Sequence, residues 1–156
     1  LVLSTAESGR DVCEFIQGQW SALGLPARVE VLPAASFRES KSQAGLALFK
    51  ASWIADYPDA ENYLSLFDSR KWTPRGPNYT RTRLPGFDAA LDAALRVQDP
   101  QERAAQMAAL DQQIHDQLPV LPLWYDVSVR AVPRSVQGLP RHPLFTLDLR
   151  RVQKIR

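Results

Sequence analysis

A short stretch in the first half of the chain combines aromatic rings with carboxylates. Between residues 52 and 63 lie the rings of Trp53 and Tyr57 and the carboxylates of Asp56, Asp59 and Glu61. A ring can form one wall of a small-molecule site, and a carboxylate can serve as the counter-ion of a bound cation. The combination therefore predicts recognition of a cationic or amphipathic small molecule.

A purely structural interpretation fits the same residues. Asp59 can cap the helix that follows, Trp53 can lie in the core, and Pro58 can shape a turn. Residue types alone do not decide between this interpretation and a binding site.

Other kinds of chemistry have little support in the sequence. His115 falls on a predicted polar helix face and His142 in a loop flanked by prolines, so neither is predicted to bind a metal. The single cysteine, Cys13, lies in an amphipathic pattern and is predicted to be a buried, inert thiol. The sequence also lacks a nucleophile elbow, a phosphate-binding glycine loop and a dinucleotide fingerprint. We therefore expect binding without catalysis, and neither a metal nor a cofactor.

The segments that position the 52–63 stretch alternate between strand and helix. An apolar strand over residues 1–4 is followed by a helix that ends at Gly24, with Ser8 and Asp11 resembling its N-terminal cap. The pattern continues with a strand over 27–31, a helix over 34–42 and an apolar strand over 46–53. This order predicts an α/β layer in which Trp53 leaves the carboxyl end of a strand, where such sheets bind ligands.

The second half of the chain is mainly helical by its pattern. We predict a short helix from residue 62 to 67, a helix from Pro85 to about residue 96, and another that starts at Asp99-Pro100. The buried face of this last helix is predicted to contain Met107, Leu110, Ile114 and Leu118.

The remaining residues are predicted to be extended or irregular. Residues 120–132 resemble an extended strand. The run from Leu118 to Tyr125 is predicted to pack in the core and at a sheet edge, with the ligand cleft as the alternative place for Trp124 or Tyr125. The tail after Pro133 is predicted to be a loop with one short strand near residues 145–149.

Composition limits the classes of protein. The chain has 156 residues, of which 45% are hydrophobic, enough for one globular domain with a real core. Residues 1–129 hold 12 basic against 16 acidic residues, whereas residues 130–156 hold 7 basic residues against Asp148 alone. The basic residues of the tail alternate with apolar residues and prolines, so we expect no nucleic-acid partner. The chain opens on Leu1-Val2-Leu3, which resembles the middle of a strand, so we expect a piece of a longer protein.

A series of short motifs in fixed order resembles the family 5 extracellular solute-binding proteins, the dipeptide-, oligopeptide- and nickel-type binding proteins of ABC importers. The matching positions are Trp53-x-Ala-Asp56-Tyr-Pro-Asp59-x-x-Asn62, Asn78-Tyr79-Thr80, Phe87-Asp88, Asp99-Pro100-x-x-Arg103, Leu118-Pro-Val-Leu-Pro-Leu-Trp-Tyr125, Val136-x-Gly138 and Asp148-Leu-Arg150. The chain departs from the usual pattern at Ser52, where Gly is common, and at Ala60, where Pro is usual. Neither departure changes a carboxylate.

The resemblance implies a fold and a division of the chain. It implies an α/β fold, the carboxyl-terminal lobe of a periplasmic-binding-protein-like type II architecture, with a mixed sheet flanked by helices. Residues 1–132 would form the ligand-binding lobe. Residues 133–156 would be a tail that crosses back to a missing N-terminal lobe.

The resemblance also implies a binding site and partners. In peptide-binding members the aspartate at the position of Asp56 pairs with the α-ammonium of the ligand. The tryptophan at the position of Trp53 lines the pocket, and the strand backbone near Ala51 and Ser52 pairs with the extended peptide. The implied partners are a short peptide or other small solute, the missing lobe and an ABC permease, and the implied location is the periplasm or the cell surface.

Two other functions stay open from the sequence. The same lobe can serve as the solute-sensing domain of a transcriptional regulator, in which case a DNA-binding segment would precede it. A small hydrolase is the third alternative, and it would require turnover that is lost on substituting Asp56 or a nearby serine.

Overall fold

The computed structural model describes residues 1–127, 129–140 and 148–155. Its first half alternates strands and helices in the predicted order. Strand β1 spans Val2–Ala6, helix α1 Arg10–Ala22, strand β2 Arg28–Leu32 and helix α2 Ala34–Ser42. The two strands run parallel, from the pair Val2 and Arg28 to the pair Ala6 and Leu32. Parallel neighbours need a crossover connection, and α1 provides it.

The local sequence explains these elements. Leu3, Ser4 and Thr5 of β1 are buried, which matches a strand covered on both faces. Cys13 of α1 is fully buried, as predicted. The predicted cap of α1 is wrong, because Gly9 occupies the cap position and no side chain bonds the free amides there. Instead, a 3-10 turn over Glu7–Gly9 leads directly into the helix.

The predicted third strand forms only in part. The amide of Ser4 donates to the carbonyl of Leu48, and the amide of Lys50 donates to the carbonyl of Ser4, at 2.9 and 3.0 Å. These bonds make one parallel bridge between Ser4 and Phe49, and the rest of residues 46–53 is irregular. β1 therefore lies between β2 and the segment around Phe49.

The second half of the chain is helical. Helix α3 spans Glu61–Leu64 and continues into a 3-10 turn, helix α4 spans Phe87–Ala94, and helix α5 spans Pro100–Gln117. These helices enclose one buried apolar cluster. Its members are Leu64, Phe67, Leu84, Phe87, Leu91, Ala94, Met107, Leu110 and Ile114.

Helix α5 begins where the sequence predicts. Asp99 is its N-cap, and the carboxylate of Asp99 accepts a hydrogen bond of 2.7 Å from the amide of Glu102. Met107, Leu110 and Ile114 are buried as predicted, but Leu118 is not. Leu118 has a left-handed backbone conformation, with φ of 46°, that ends the helix and leaves its side chain 61% exposed.

The predictions for residues 118–132 are wrong within the described chain. No strand is present over the described residues of 120–132, and the run from Leu118 to Tyr125 is not a core element. Its large apolar side chains lie at the surface, with Tyr125 89% exposed. The described residues offer no neighbouring strand to pair with this segment.

The described part of the tail forms a separate small sheet. Strand β3, Val136–Gln137, pairs antiparallel with strand β4, Gln153–Lys154. Most of the strand predicted near residues 145–149 lies outside the described residues, and Asp148 and Leu149 are not in a strand. Of the helices in the described ranges, none has the length and apolar character that crossing a membrane requires.

Candidate functional site

The 52–63 stretch leaves the sheet beside β1 and returns to the helical half at α3. Trp53, near its start, is half-buried, and the indole Nε1 donates a 2.7 Å hydrogen bond to Oδ1 of Asn62. Asn62 is buried in α3, so this bond anchors the start of the loop to the helix at its end. Trp53 is thus neither a free surface ring nor a fully buried core residue.

Asp56 lies in the middle of this loop and is exposed to solvent. Its carboxylate has no hydrogen bond or ion pair with any other described residue. Ala51 and Ser52 are exposed as well, and their backbone amides and carbonyls make no hydrogen bond within the described chain. Charge and main-chain hydrogen-bonding groups are therefore both available next to Trp53.

Asp59 has a different environment from Asp56. Nη1 and Nη2 of Arg103 each lie 2.9 Å from a separate oxygen of the Asp59 carboxylate, which gives a two-pronged contact. The Asp59 carboxylate also accepts a 2.8 Å hydrogen bond from the amide of Glu61, the first residue of α3. The hydrogen bond from Arg103 is the main reason that the pKa of Asp59 is lowered. Asp59 thus bonds the first residue of α3, although the N-cap position of that helix is Ala60 and not Asp59.

The third carboxylate of the loop, Glu61, is also paired. It accepts a hydrogen bond from the hydroxyl of Tyr57 and lies 3.9 Å from Nζ of Lys71. Asp56 is therefore the carboxylate of this stretch that is left without a partner among the described residues.

Trp124 lies close to the segment that leads into the site. Nζ of Lys50, the residue before Ala51, is 5.8 Å from the centre of the Trp124 ring. The Trp124 indole donates to Asp126, and Trp124 is 54% exposed. The alternative prediction, that Trp124 or Tyr125 faces a ligand cleft, stays a prediction.

Two of the motifs in the second half of the chain serve the fold. Asn78 is fully buried, and its amide group donates to the carbonyls of Asp68 and Thr82, both at 3.1 Å. Asp88 accepts hydrogen bonds from the amide and the hydroxyl of Ser69. These positions hold the loop between α3 and α4 in place.

Metal binding has no support within the described residues. No group of three or more His, Cys, Asp or Glu side chains converges there. His115 is exposed, with Nε2 3.8 Å from Asp111 on the same helix, and His142 lies outside the described residues.

Sequence reasoning missed the contact between Arg103 and Asp59. The Asp99-Pro100 signal does place Arg103 in the first turn of α5. Nothing local identifies its partner, because 44 residues separate Arg103 from Asp59. The bond between Trp53 and Asn62 was also missed, although both residues belong to the first motif.

The chain is similar in sequence to binding proteins for short peptides. It is 31% identical over 141 residues to the glutathione-binding protein GsiB of Salmonella typhimurium, an alignment that covers 86% of this chain and 27% of GsiB. It is 25% identical over 142 residues to the di/tripeptide-binding protein 2 of Pseudomonas aeruginosa, covering 91% of this chain and 27% of that protein. No protein-family model matches the chain.

Solved structures of binding proteins share its fold. A clavulanic acid biosynthesis oligopeptide-binding protein superposes with a TM-score of 0.88 at 24% identity, over 99% of this chain and 30% of that one. The murein tripeptide-binding protein MppA of Escherichia coli gives 0.83 at 20% identity, over 100% of this chain and 31% of MppA. The predicted α/β fold of the periplasmic-binding-protein type is therefore confirmed.

These similarities confirm the resemblance that the motifs predicted. The relatives include glutathione-, di/tripeptide- and oligopeptide-binding proteins, which are family 5 solute-binding proteins. They are binding proteins by name, and several are described as periplasmic. The chain spans less than a third of the length of the relatives named above.

Proposed function

We propose, from this kinship with the family 5 solute-binding proteins, that the chain is part of the substrate-binding component of an ABC importer. In this proposal it supplies one lobe of a periplasmic or cell-surface protein that binds short peptides or related solutes. The protein then delivers them to a membrane permease. Binding, and no chemical conversion of the solute, is the whole of its role.

The observation that carries the proposal is the free carboxylate of Asp56. Asp59 and Glu61 are paired within the chain, so Asp56 is the carboxylate of the loop that can accept a cation from outside. The α-ammonium of a peptide is such a cation, and a charge-assisted hydrogen bond to it fixes the direction of the bound peptide.

The exposed backbone before Trp53 favours an extended peptide over a compact solute as the ligand. Ala51 and Ser52 expose main-chain groups that make no hydrogen bond within the described chain. An extended peptide can pair with such groups as an added strand, which gives affinity for many side-chain sequences. Trp53 would then form the wall beside the first residues of the peptide.

The exposed apolar residues after α5 support a second lobe. Leu121, Tyr125 and Val127 are 72%, 89% and 85% exposed, and soluble domains rarely leave large apolar patches uncovered. We propose that residues 1–132 form the lobe and that residues 133–156 cross to the absent one. Closure of the two lobes would exclude water and strengthen the ion pair at Asp56.

Asp56→Asn in the full-length parent protein tests the proposal. Asn keeps the shape of the side chain but removes its charge. We expect Ala-Ala-Ala to bind roughly 10- to 100-fold more weakly by calorimetry, the effect of losing a hydrogen bond between charged groups. N-acetylated Ala-Ala-Ala, which has no ammonium, should bind weakly and equally to both proteins.

Asp116→Asn is the matched control. Asp116 is exposed near the end of α5, and 13 residues of helix, about 20 Å, separate it from Arg103 beside the loop. This control should keep the affinity of the unmodified protein. If the Asp56→Asn protein preferred the free peptide over the acetylated one as strongly as the wild type does, ammonium recognition at this residue would be refuted.

A further inference from the structure

The contact between Arg103 and Asp59 joins the candidate binding loop to the longest helix of the described chain. The hydrogen bond from Nη2 and the ion-pair contact from Nη1 both measure 2.9 Å, and the two side chains are 29% and 32% exposed. A planar guanidinium that binds both oxygens of a carboxylate fixes orientation as well as distance. The contact therefore restrains where Asp59 lies relative to α5.

Arg103 is itself held firmly. It lies in the first turn of α5, just after the Asp99 cap. The same helix packs through Met107, Leu110 and Ile114 into the apolar cluster of the second half. Because α5 is packed in this way, the position of Arg103 is fixed more precisely than that of a side chain on a loop.

The anchored position is close to Asp56. Asp59 follows Asp56 by three residues, and Pro58 between them has a fixed φ. On the other side, Trp53 precedes Asp56 by three residues and is bonded to Asn62 of α3. The free carboxylate thus lies midway between two anchors, one on α3 and one on α5.

The contact also determines the charge that the loop offers. Arg103 neutralises Asp59, the carboxylate nearest in sequence to Asp56. Without Arg103, two carboxylates that lack an ion pair would lie three residues apart, and each would compete for a bound cation. With Arg103 in place, the loop presents one unpaired negative charge at one position.

We propose that Arg103 is a positioning residue for ammonium recognition. It acts through Asp59: it holds the loop so that Asp56 faces the ligand, and it leaves Asp56 as the single acceptor. This inference rests on the proposed function, because it assumes that Asp56 binds the ammonium of a peptide.

The test compares variants of the full-length parent protein by their preference for a free amine. The preference is the ratio of the Kd of N-acetylated Ala-Ala-Ala to the Kd of Ala-Ala-Ala, measured by calorimetry. Arg103→Met and Asp59→Asn should each lower this ratio roughly tenfold, by analogy with the loss seen when a group that orients a metal ligand is removed. Arg103→Lys, which keeps the charge but not the two-pronged contact, should give a smaller loss.

The double variant and a second ion pair provide the controls. Since Arg103 and Asp59 act as a pair, Asp59→Asn combined with Arg103→Met should lose no more than either single variant. Asp92→Asn breaks a contact of the same kind, to Arg70 at 2.8 and 2.9 Å, outside the loop. It should leave the preference unchanged, which separates positioning from a general loss of stability.

Each outcome bears on a stated claim. If Arg103→Met and Asp59→Asn keep the wild-type preference for the free amine while Asp56→Asn loses it, the positioning role of Arg103 is overturned and the proposed function stands. Losses that add in the double variant also overturn the positioning role. A wild-type preference in Asp56→Asn overturns the proposed function and this inference with it. Should Arg103→Met fail to fold, as shown by its thermal melt, Arg103→Lys and Asp59→Asn carry the same comparison.

Discussion

The three carboxylates of one short loop differ in the partners that the chain gives them. Asp59 and Glu61 are bound by groups of the same chain, and Asp56 is not bound by any described residue. The residue types predict a carboxylate at this place as counter-ion of a bound cation, which stays a prediction, and they could not tell which carboxylate is free. That distinction depends on Arg103 and Lys71, which approach from outside the loop.

The lowered pKa of Asp59 gives a dependence of stability on pH. Because the pKa of Asp59 is lower in the folded chain than the value of about 3.9 expected when unfolded, its ion pair stabilises the fold fully above about pH 5. That contribution, of order 0.5 to 1 kcal/mol for a partly exposed pair, is lost as pH falls through the lowered pKa.

Denaturant unfolding of the wild type and of Asp59→Asn, at steps between about pH 6 and 2.5, measures this contribution. We expect the wild type to have the larger free energy of unfolding near pH 6. The difference between the two proteins should shrink as the pH falls. Asp68, Asp92 and Asp148 also have lowered pKa values, so only the difference between the two proteins isolates Asp59. A difference that stays constant with pH would contradict the assignment.

At the scale of elements, local signals predicted the helices well. The bounds of α2 match the prediction, and α5 starts at its predicted cap. Caps and apolar periodicity are properties of neighbouring residues, so one segment is enough to reveal them. The segment around Phe49 and residues 120–132 were overpredicted as strands, because a strand needs a partner and sequence pattern does not identify one.

The cap of α5 is open to a direct test. Asp99→Ala removes the acceptor for the amide of Glu102 and should cost about 1 kcal/mol of unfolding free energy. Asp116→Ala makes the same change at the other end of the helix, where an acidic side chain opposes the helix dipole, and should cost little or nothing. Equal losses in chemical denaturation of the two variants would show that Asp99 contributes no specific cap.

At the scale of the whole molecule, the proposed function gives this chain one side of a binding cleft. The free carboxylate and the unpaired backbone both lie at its surface, and the apolar residues after α5 are uncovered. A peptide bound to this lobe alone would keep much of its surface in water. Because much of the affinity for a peptide would come from enclosing it between two lobes, we expect this chain alone to bind peptides very weakly.

Calorimetry with Ala-Ala-Ala and the 156-residue chain checks this expectation. We expect no binding at micromolar concentrations, whereas the full-length parent protein should bind. Micromolar affinity of the chain alone would contradict a mechanism that needs two lobes. A circular dichroism melt of the same sample shows whether the chain was folded during the measurement.

The central place of β1 has a topological consequence. The chain runs from β1 to β2 on one side, and then to the Phe49 segment on the other side of β1, with all three parallel. Right-handed connections in opposite directions carry their helices to opposite faces of a sheet. Open α/β sheets bind ligands where the strand order reverses in this way, beyond the carboxyl ends of the strands. Here that place lies beyond β1 and the Phe49 segment, the edge from which the chain departs toward Asp56. Strand order and charge thus select the same edge of the sheet independently.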